Sequence, residues 1–199
     1  MNTIHHGFWT YFVFRKKKNL VKWFVLGAVG PDVIYFIMFF FLAIEKGILN
    51  IQLFADVFQL VMSGFEMESS SKSVNQLHDF ILEMFNNPVV DMLRKTGHSL
   101  IIWGIVYGVV VWRKGLKLTW LHALLFGWVG HIITDLLTHV TDATPIFYPI
   151  SDVVIKGPVS YWNPNYYGKE FQTINTILII VATVYMVYDF IKYKRRNKK

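Results

Sequence analysis

His131, Asp135 and His139 recur at four-residue intervals inside an apolar run, where each ionisable group is costly and needs an account. At i, i+4 and i+8 they form one stripe along a helix face. A histidine and a carboxylate one turn apart can ligate the same metal ion, because their side chains project together. The same pair also suits a structural hydrogen bond or a step in a proton path. Two more polar residues interrupt apolar runs. Asp32 lies next to Pro31 and close to Gly27 and Gly30, and His98 opens a run of its own. His122 falls on the face of its helix opposite His131 and reads as structural. His78 reads as a solvated residue of an amphipathic helix, while His5 and His6 can be read either way.

The elements that must hold these residues are membrane helices. The chain has 199 residues, 54% of them apolar and only 17% charged, with a mean hydropathy of +0.38. The apolar residues come in long runs separated by charged clusters, the pattern of a polytopic all-α bundle rather than of a soluble core. The expected spans are Leu20–Ile44, His98–Trp112, Leu116–His139 and Thr173–Ile191, with Asn2–Phe14 as a half-length helix folded back on the first. One domain, residues 1–199, is expected. Residues 50–97 form an amphipathic insert: Ile51, Phe54, Phe58 and Val61 recur at helical spacing, as do Val74, Leu77, Ile81 and Met84, with Ser69–Ser71 as a loop between them. Residues 140–172, rich in Pro, Tyr and Trp, read as an ordered loop at the aromatic belt.

The net charge of +7 suggests nucleic acid until its placement is considered. Arg15–Lys18 with Lys22, Arg113 with Lys114 and Lys117, and the clustered lysines and arginines from Lys192 onward each abut an apolar run. They read as cytoplasmic anchors facing lipid headgroups, with no nucleic-acid partner. The positive-inside rule then puts the carboxy terminus in the cytoplasm and the 50–97 and 140–172 segments outside, across an inner membrane. The chain has no cysteine, which excludes disulfides and thiolate metal sites. Met1–Phe14 precedes its basic cluster, the reverse of a signal peptide's order, so no cleavable leader is expected.

Depth links the polar residues. At helical rise, Asp32 lies about 21 Å from Lys18, His131 about 21 Å from Lys117 and His98 about 22 Å from Arg113, with Asp135 one turn further out. Three spans measured from their own anchors thus bring polar groups to one level near the outer face. His6, counted from Arg15, reaches only about 14 Å and falls short of it.

These residues resemble a family, the bacterial membrane-bound metal-dependent hydrolases known as LexA-regulated inner-membrane proteins, which are distantly similar to the zinc-dependent phospholipases C. His5-His6 matches the family's amino-terminal histidine, and Leu26-Gly27-Ala28-Val29-Gly30-Pro31-Asp32 its Leu-Gly-x-x-x-Pro-Asp element. Arg94-Lys95-Thr96-Gly97-His98-Ser99 matches Arg-x-x-x-His-Ser. Gly127-Trp128-Val129-Gly130-His131 through Asp135 to Thr138 matches the Gly-aromatic-x-x-His-x-x-x-Asp-x-x-Thr element, and Phe147-Tyr148-Pro149 the trailing aromatic-proline. Order and spacing hold over roughly the first three quarters of the chain. The chain departs at Ile34, where the family often has a second acid, and at Leu93, where it often has a further histidine.

The resemblance implies a hydrolase site for a lipid or lipid-linked phosphoester near the outer membrane face. A divalent ion, zinc or else manganese or iron, would be held by His98, His131 and Asp135, with Asp32 as fourth ligand or general base. His6 and His139 would be further ligands or proton carriers. Arg94 would stabilise a phosphoryl oxyanion, its alternative being an ordinary charge at the interface. Two other classes use the same residues: a non-catalytic scaffold or regulator whose polar cluster fixes helix packing, and a proton or metal-ion transporter.

Overall fold

The computed structural model describes residues 1–47, 52, 55 and 72–196. Every regular element among them is helical: α1 (Thr3–Phe14), α2 (Val21–Glu45), α3 (Lys72–Phe85), α4 (Pro88–Gly97), α5 (Leu100–Lys114), α6 (Trp120–Thr138) and α7 (Gly168–Arg196), with a short 3-10 turn at Pro164–Tyr166. Helices α2, α6 and α7 are long and apolar enough to cross a membrane. Helix α5, with 15 residues, reaches about 22 Å, less than the roughly 30 Å hydrocarbon core. The expected periodicity over 51–61 and the serine loop at 69–71 lie outside the described residues, as does the side chain of His78. The other expected helix of that insert is α3.

Helices α2 and α6 form the most extensive packed pair. Their crossing is tight because two glycines interlock. A Cβ added at Gly27 would lie 1.8 Å from Leu124 O, and one at Gly127 only 2.0 Å from Phe24 O. Without side chains at these positions the two backbones meet directly, the close approach that small residues permit between membrane helices. Helix α1 folds back along α2 through the turn at Lys17–Leu20, with Phe14 stacked on Phe24 at 3.8 Å. Helix α7 is held to α1 by Trp9 Nε1 donating to Asn175 Oδ1 (2.9 Å) and by Asn175 Nδ2 meeting His5 Nδ1 (3.0 Å).

Three boundaries differ from the sequence expectation. Residues 88–97 form a separate helix, α4, started by the Asn87 side chain accepting from Val89 N (2.9 Å) and by Pro88 in the first turn. His98 therefore does not open the following span; it caps α4, and Ser99 starts α5 by accepting from Ile101 N and Ile102 N, each at 3.1 Å. Gly115, with φ +67°, ends α5, and α6 starts only after a turn, at Trp120. Helix α7 starts earlier than Thr173, at Gly168, where the 3-10 turn closes with Gly168 N donating to Asn163 O (3.0 Å).

Candidate metal centre

The interlocked crossing brings Asp32 of α2 beside His131 and Asp135 of α6. The third wall is the α4–α5 break, where Gly97 lies against Pro31 so closely that a Cβ would sit 3.5 Å from its Cα. His98 is thereby carried into the crossing. Asp32, His98, His131 and Asp135 are all buried, and each offers one ligand atom within 4.8 Å of the other three.

Both imidazoles are oriented by main-chain carbonyls. His131 Nδ1 lies 2.7 Å from Ala28 O, and His98 Nδ1 lies 2.9 Å from Arg94 O. A carbonyl oxygen only accepts, so each Nδ1 carries its hydrogen and each Nε2 turns a lone pair inward, the arrangement that fixes metal-binding histidines. The inward atoms stand at regular spacing. His131 Nε2 is 3.0 Å from His98 Nε2 and 3.1 Å from Asp135 Oδ2, and His98 Nε2 is 3.3 Å from Asp135 Oδ2. Asp32 Oδ1 lies 3.6 Å from His131 Nε2 and 3.7 Å from His98 Nε2. A tetrahedral ion with ligands at about 2.0 Å has edges of roughly 3.3 Å, and these distances bracket that value. The donor set therefore fits a divalent ion, with two nitrogens and two carboxylate oxygens and no thiolate.

Asp135 faces a second set of nitrogens with its other oxygen. Oδ1 lies 2.8 Å from His6 Nε2, 3.2 Å from His139 Nε2 and 2.6 Å from the Met1 amino group. That amino group also donates to Thr138 Oγ1 at 2.8 Å. One carboxylate thus joins two clusters of donors, a geometry suited to bridging two cations or to carrying a proton between them. Asp32 is engaged through both oxygens as well, because Oδ2 accepts from Thr3 Oγ1 at 2.7 Å. Oδ1 is left facing the two histidines, where either a ligand oxygen or a general base would stand.

His139 is oriented in turn by Asp142, whose Oδ2 lies 2.9 Å from His139 Nδ1 and accepts from Trp162 Nε1 at 3.1 Å. Burial alone would raise the Asp142 carboxyl, but the hydrogen bond and charge of His139 hold it below its usual range. Asp142 Oδ1 is buried and has no hydrogen-bond partner among the described residues. Arg94 donates to the main-chain oxygen of Asp142 and lies over the Phe85 ring, 5.9 Å from its centroid. It lines a narrow cleft together with His98, Asp135, His139 and Ile155. A wider cleft of about 290 Å³ shares Arg94, Ala143 and Thr144 and adds Asp91, Lys95 and Asp152 at its rim.

The structure thus gathers the four expected ligands around one point and sets His6 and His139 on the far oxygen of Asp135. Arg94 stands at the cleft. The shortfall inferred for His6 is overturned. The Nε2 of His6 lies 2.8 Å from Asp135 Oδ1, so α1 reaches the cluster despite the count from Arg15. His5 turns to Asn175 instead. His122 is where its helix face requires, away from the cluster, bonded to Thr119 Oγ1 (2.8 Å) and to Gly115 O (2.9 Å). Sequence reasoning missed Thr3, Asp142 and the Met1 amino group. The His139-x-x-Asp142 spacing was a usable signal for the second; nothing in the sequence links Thr3 to Asp32.

No family model, curated protein or solved structure matches the chain. Fold and site by themselves define an all-helical protein with membrane-length helices and a buried His/Asp cluster able to hold a metal ion.

Proposed function

We propose that the protein is a membrane-bound, metal-dependent hydrolase acting on the phosphoester of a lipid or lipid-linked substrate. The observation that carries this reading is the set of four buried donor atoms within 4.8 Å of one another, opening on a cleft that Arg94 lines. The resemblance to membrane-bound metal-dependent hydrolases supports it through the same residues. A divalent ion, zinc by donor type with manganese or iron also compatible, supplies Lewis acidity and activates water near neutral pH when one position is open to solvent. His98, His131, Asp135 and Asp32 would hold it. Arg94 would neutralise a phosphoryl oxygen in the cleft, with Asp142 O fixing its guanidinium. His6 and His139 would hold protons or a second ion against Asp135 Oδ1. The apolar walls Ile132, Ile146 and Ile155 would limit water around the reacting group. With the basic clusters in the cytoplasm, the site lies towards the extracytoplasmic face of the inner membrane.

One observation favours a second reading, a scaffold with a structural ion. Four protein donors are enough to close a tetrahedron, which is the hallmark of structural rather than catalytic zinc. Transport has less support, because the residues buried on α6 between His122 and His131 are Ala123, Leu125 and Gly127, which offer no polar side chain to an ion path.

The deciding experiment is elemental mass spectrometry of the detergent-purified protein beside a His131→Ala/Asp135→Ala double variant, followed by turnover on a phospholipid and lipid-pyrophosphate panel. Near-stoichiometric metal, absent from the variant and needed for turnover, supports the hydrolase. Metal without turnover on any phosphoester favours the scaffold. No metal in either protein after reconstitution removes the hydrolase and leaves the scaffold whose polar cluster itself fixes helix packing.

A further inference from the structure

The segment that walls the cleft on its outer side has two unlike faces. Ile146 is buried with its carbonyl accepting from Leu100 N (2.8 Å), and Ile155 lines the cleft beside His98 and His139. Between them Phe147, Ile150, Val153 and Val154 are exposed, Ile150 by 77% and Val153 by 66%. Asp152 and Val154 line the wider cleft and Ile155 is itself 41% exposed, so Phe147, Ile150 and Val153 remain as the outward apolar side chains of the segment, and grouped exposure of this kind marks an interaction surface. The segment is also fixed to the bundle at both ends. Ser99 Oγ donates to Tyr148 O, and Gly157 N donates to His139 O at 2.8 Å. At Gly157 a Cβ would lie 2.7 Å from Leu136 O, so the chain there rests directly on the last turn of α6.

That contact identifies the occupant. Helix α6 is a membrane-length span, and its last two turns expose Ile133 and Leu137 one turn apart, as a lipid-facing flank requires. The apolar side chains of 147–155 therefore continue the lipid-facing surface of α6 beyond its end. Tyr148, Tyr161, Trp162 and Tyr166 lie in the same loop, the residue types that settle at headgroup level. We propose that residues 147–155 form a wedge inserted into the leaflet in which α6 ends, with the bilayer itself as its partner. Ile155 then stands between lipid and the metal cluster, and an amphiphile reaches the cleft laterally, its apolar part never leaving the membrane. The wedge rests on the membrane-spanning fold and not on the hydrolase reading.

Because the chain has no cysteine, Ile150→Cys and Val153→Cys can each carry a single nitroxide in lipid nanodiscs, with Arg196→Cys at the exposed, charged end of α7 as the aqueous control. Both wedge positions are exposed, so the substitutions leave packing intact. The expected result is a several-fold higher ratio of collisions with oxygen to collisions with a water-soluble nickel chelate at 150 and 153 than at 196. Nickel accessibility equal to the control overturns the wedge. Dipolar broadening with exclusion of both reagents also overturns it and assigns the surface to a second copy. The readout does not use turnover: lipid-buried labels on a protein without activity leave the wedge standing and count only against the hydrolase.

Discussion

His98 Nε2 and His131 Nε2 face one another at 3.0 Å while each ring donates its Nδ1 hydrogen to a main-chain carbonyl. Two inward lone pairs at this distance repel unless something positive lies between them. A metal ion does this for both rings, and so does a proton held on one Nε2 and donated to the other. The two carboxylate oxygens within 3.7 Å make the same space attractive to either.

Metal binding should weaken with acid. Both imidazoles must be neutral to ligate, so protons compete for the same lone pairs, and affinity should fall with falling pH by up to ~100-fold per unit where two protons are displaced. The stability contributed by the ion is lost in the same direction. Competition titrations with a chelator between pH 8 and 5 measure this; an affinity flat across that range contradicts histidine ligation.

Gly27→Ala and Gly127→Ala should each force α2 and α6 apart, because the new methyl would meet a backbone carbonyl at 1.8 or 2.0 Å. A backbone cannot step aside as a side-chain tip can, so the loss should be at least about 1–3 kcal/mol, with metal content lost alongside. Gly30→Ala and Gly130→Ala meet nothing within 4 Å and should stay within about 1 kcal/mol of the parent. Thermal melts in detergent with elemental analysis compare the two pairs. Equal behaviour would show that the crossing does not set the site.

His6→Ala should lower metal affinity by about 10–100-fold, because His6 Nε2 supports Asp135 Oδ1 from the side opposite the cluster. His5→Ala, its sequence neighbour, removes a partner of Asn175 and should leave affinity unchanged. If both variants lose metal alike, the effect lies in the packing of α1 and not in Asp135.

Arg94→Ala should lower kcat on a phosphoester by about 10²–10³-fold while metal content is retained, as expected for a group acting on developing charge rather than on the ion. Arg94→Lys keeps the charge but loses the forked donor, and should recover activity only in part. Metal loss in Arg94→Ala would instead assign Arg94 to holding the Asp142 loop.

Much of the architecture was legible because its signals are local. Hydropathy marked α2, α6 and α7, and the i, i+4 spacing of His131 and Asp135 put both on one helix face before any partner was known. Counting helical rise from the basic anchors aligned Asp32, His98 and His131, since rise per residue is the same in every helix. The count failed at His6 because rise along one helix does not say how that helix is placed beside another. The start of α4 was written in Asn87-Pro88, and with it the capping position of His98, but these signals are weaker than periodicity and were outweighed by the apolar run that follows.

What only the tertiary structure decided is which atom faces which. The sequence named Asp135 as a ligand; the crossing of α2 and α6 at Gly27 and Gly127 gave its two oxygens different partners, Oδ2 with His98 and His131, Oδ1 with His6 and His139. Thr3 on Asp32 and Asp142 on His139 likewise follow from where the chain returns in space. Periodicity fixes the direction of a side chain around its own helix axis. The distance between two axes, and so the geometry of any site between them, is set by the packing of residues far apart in the chain.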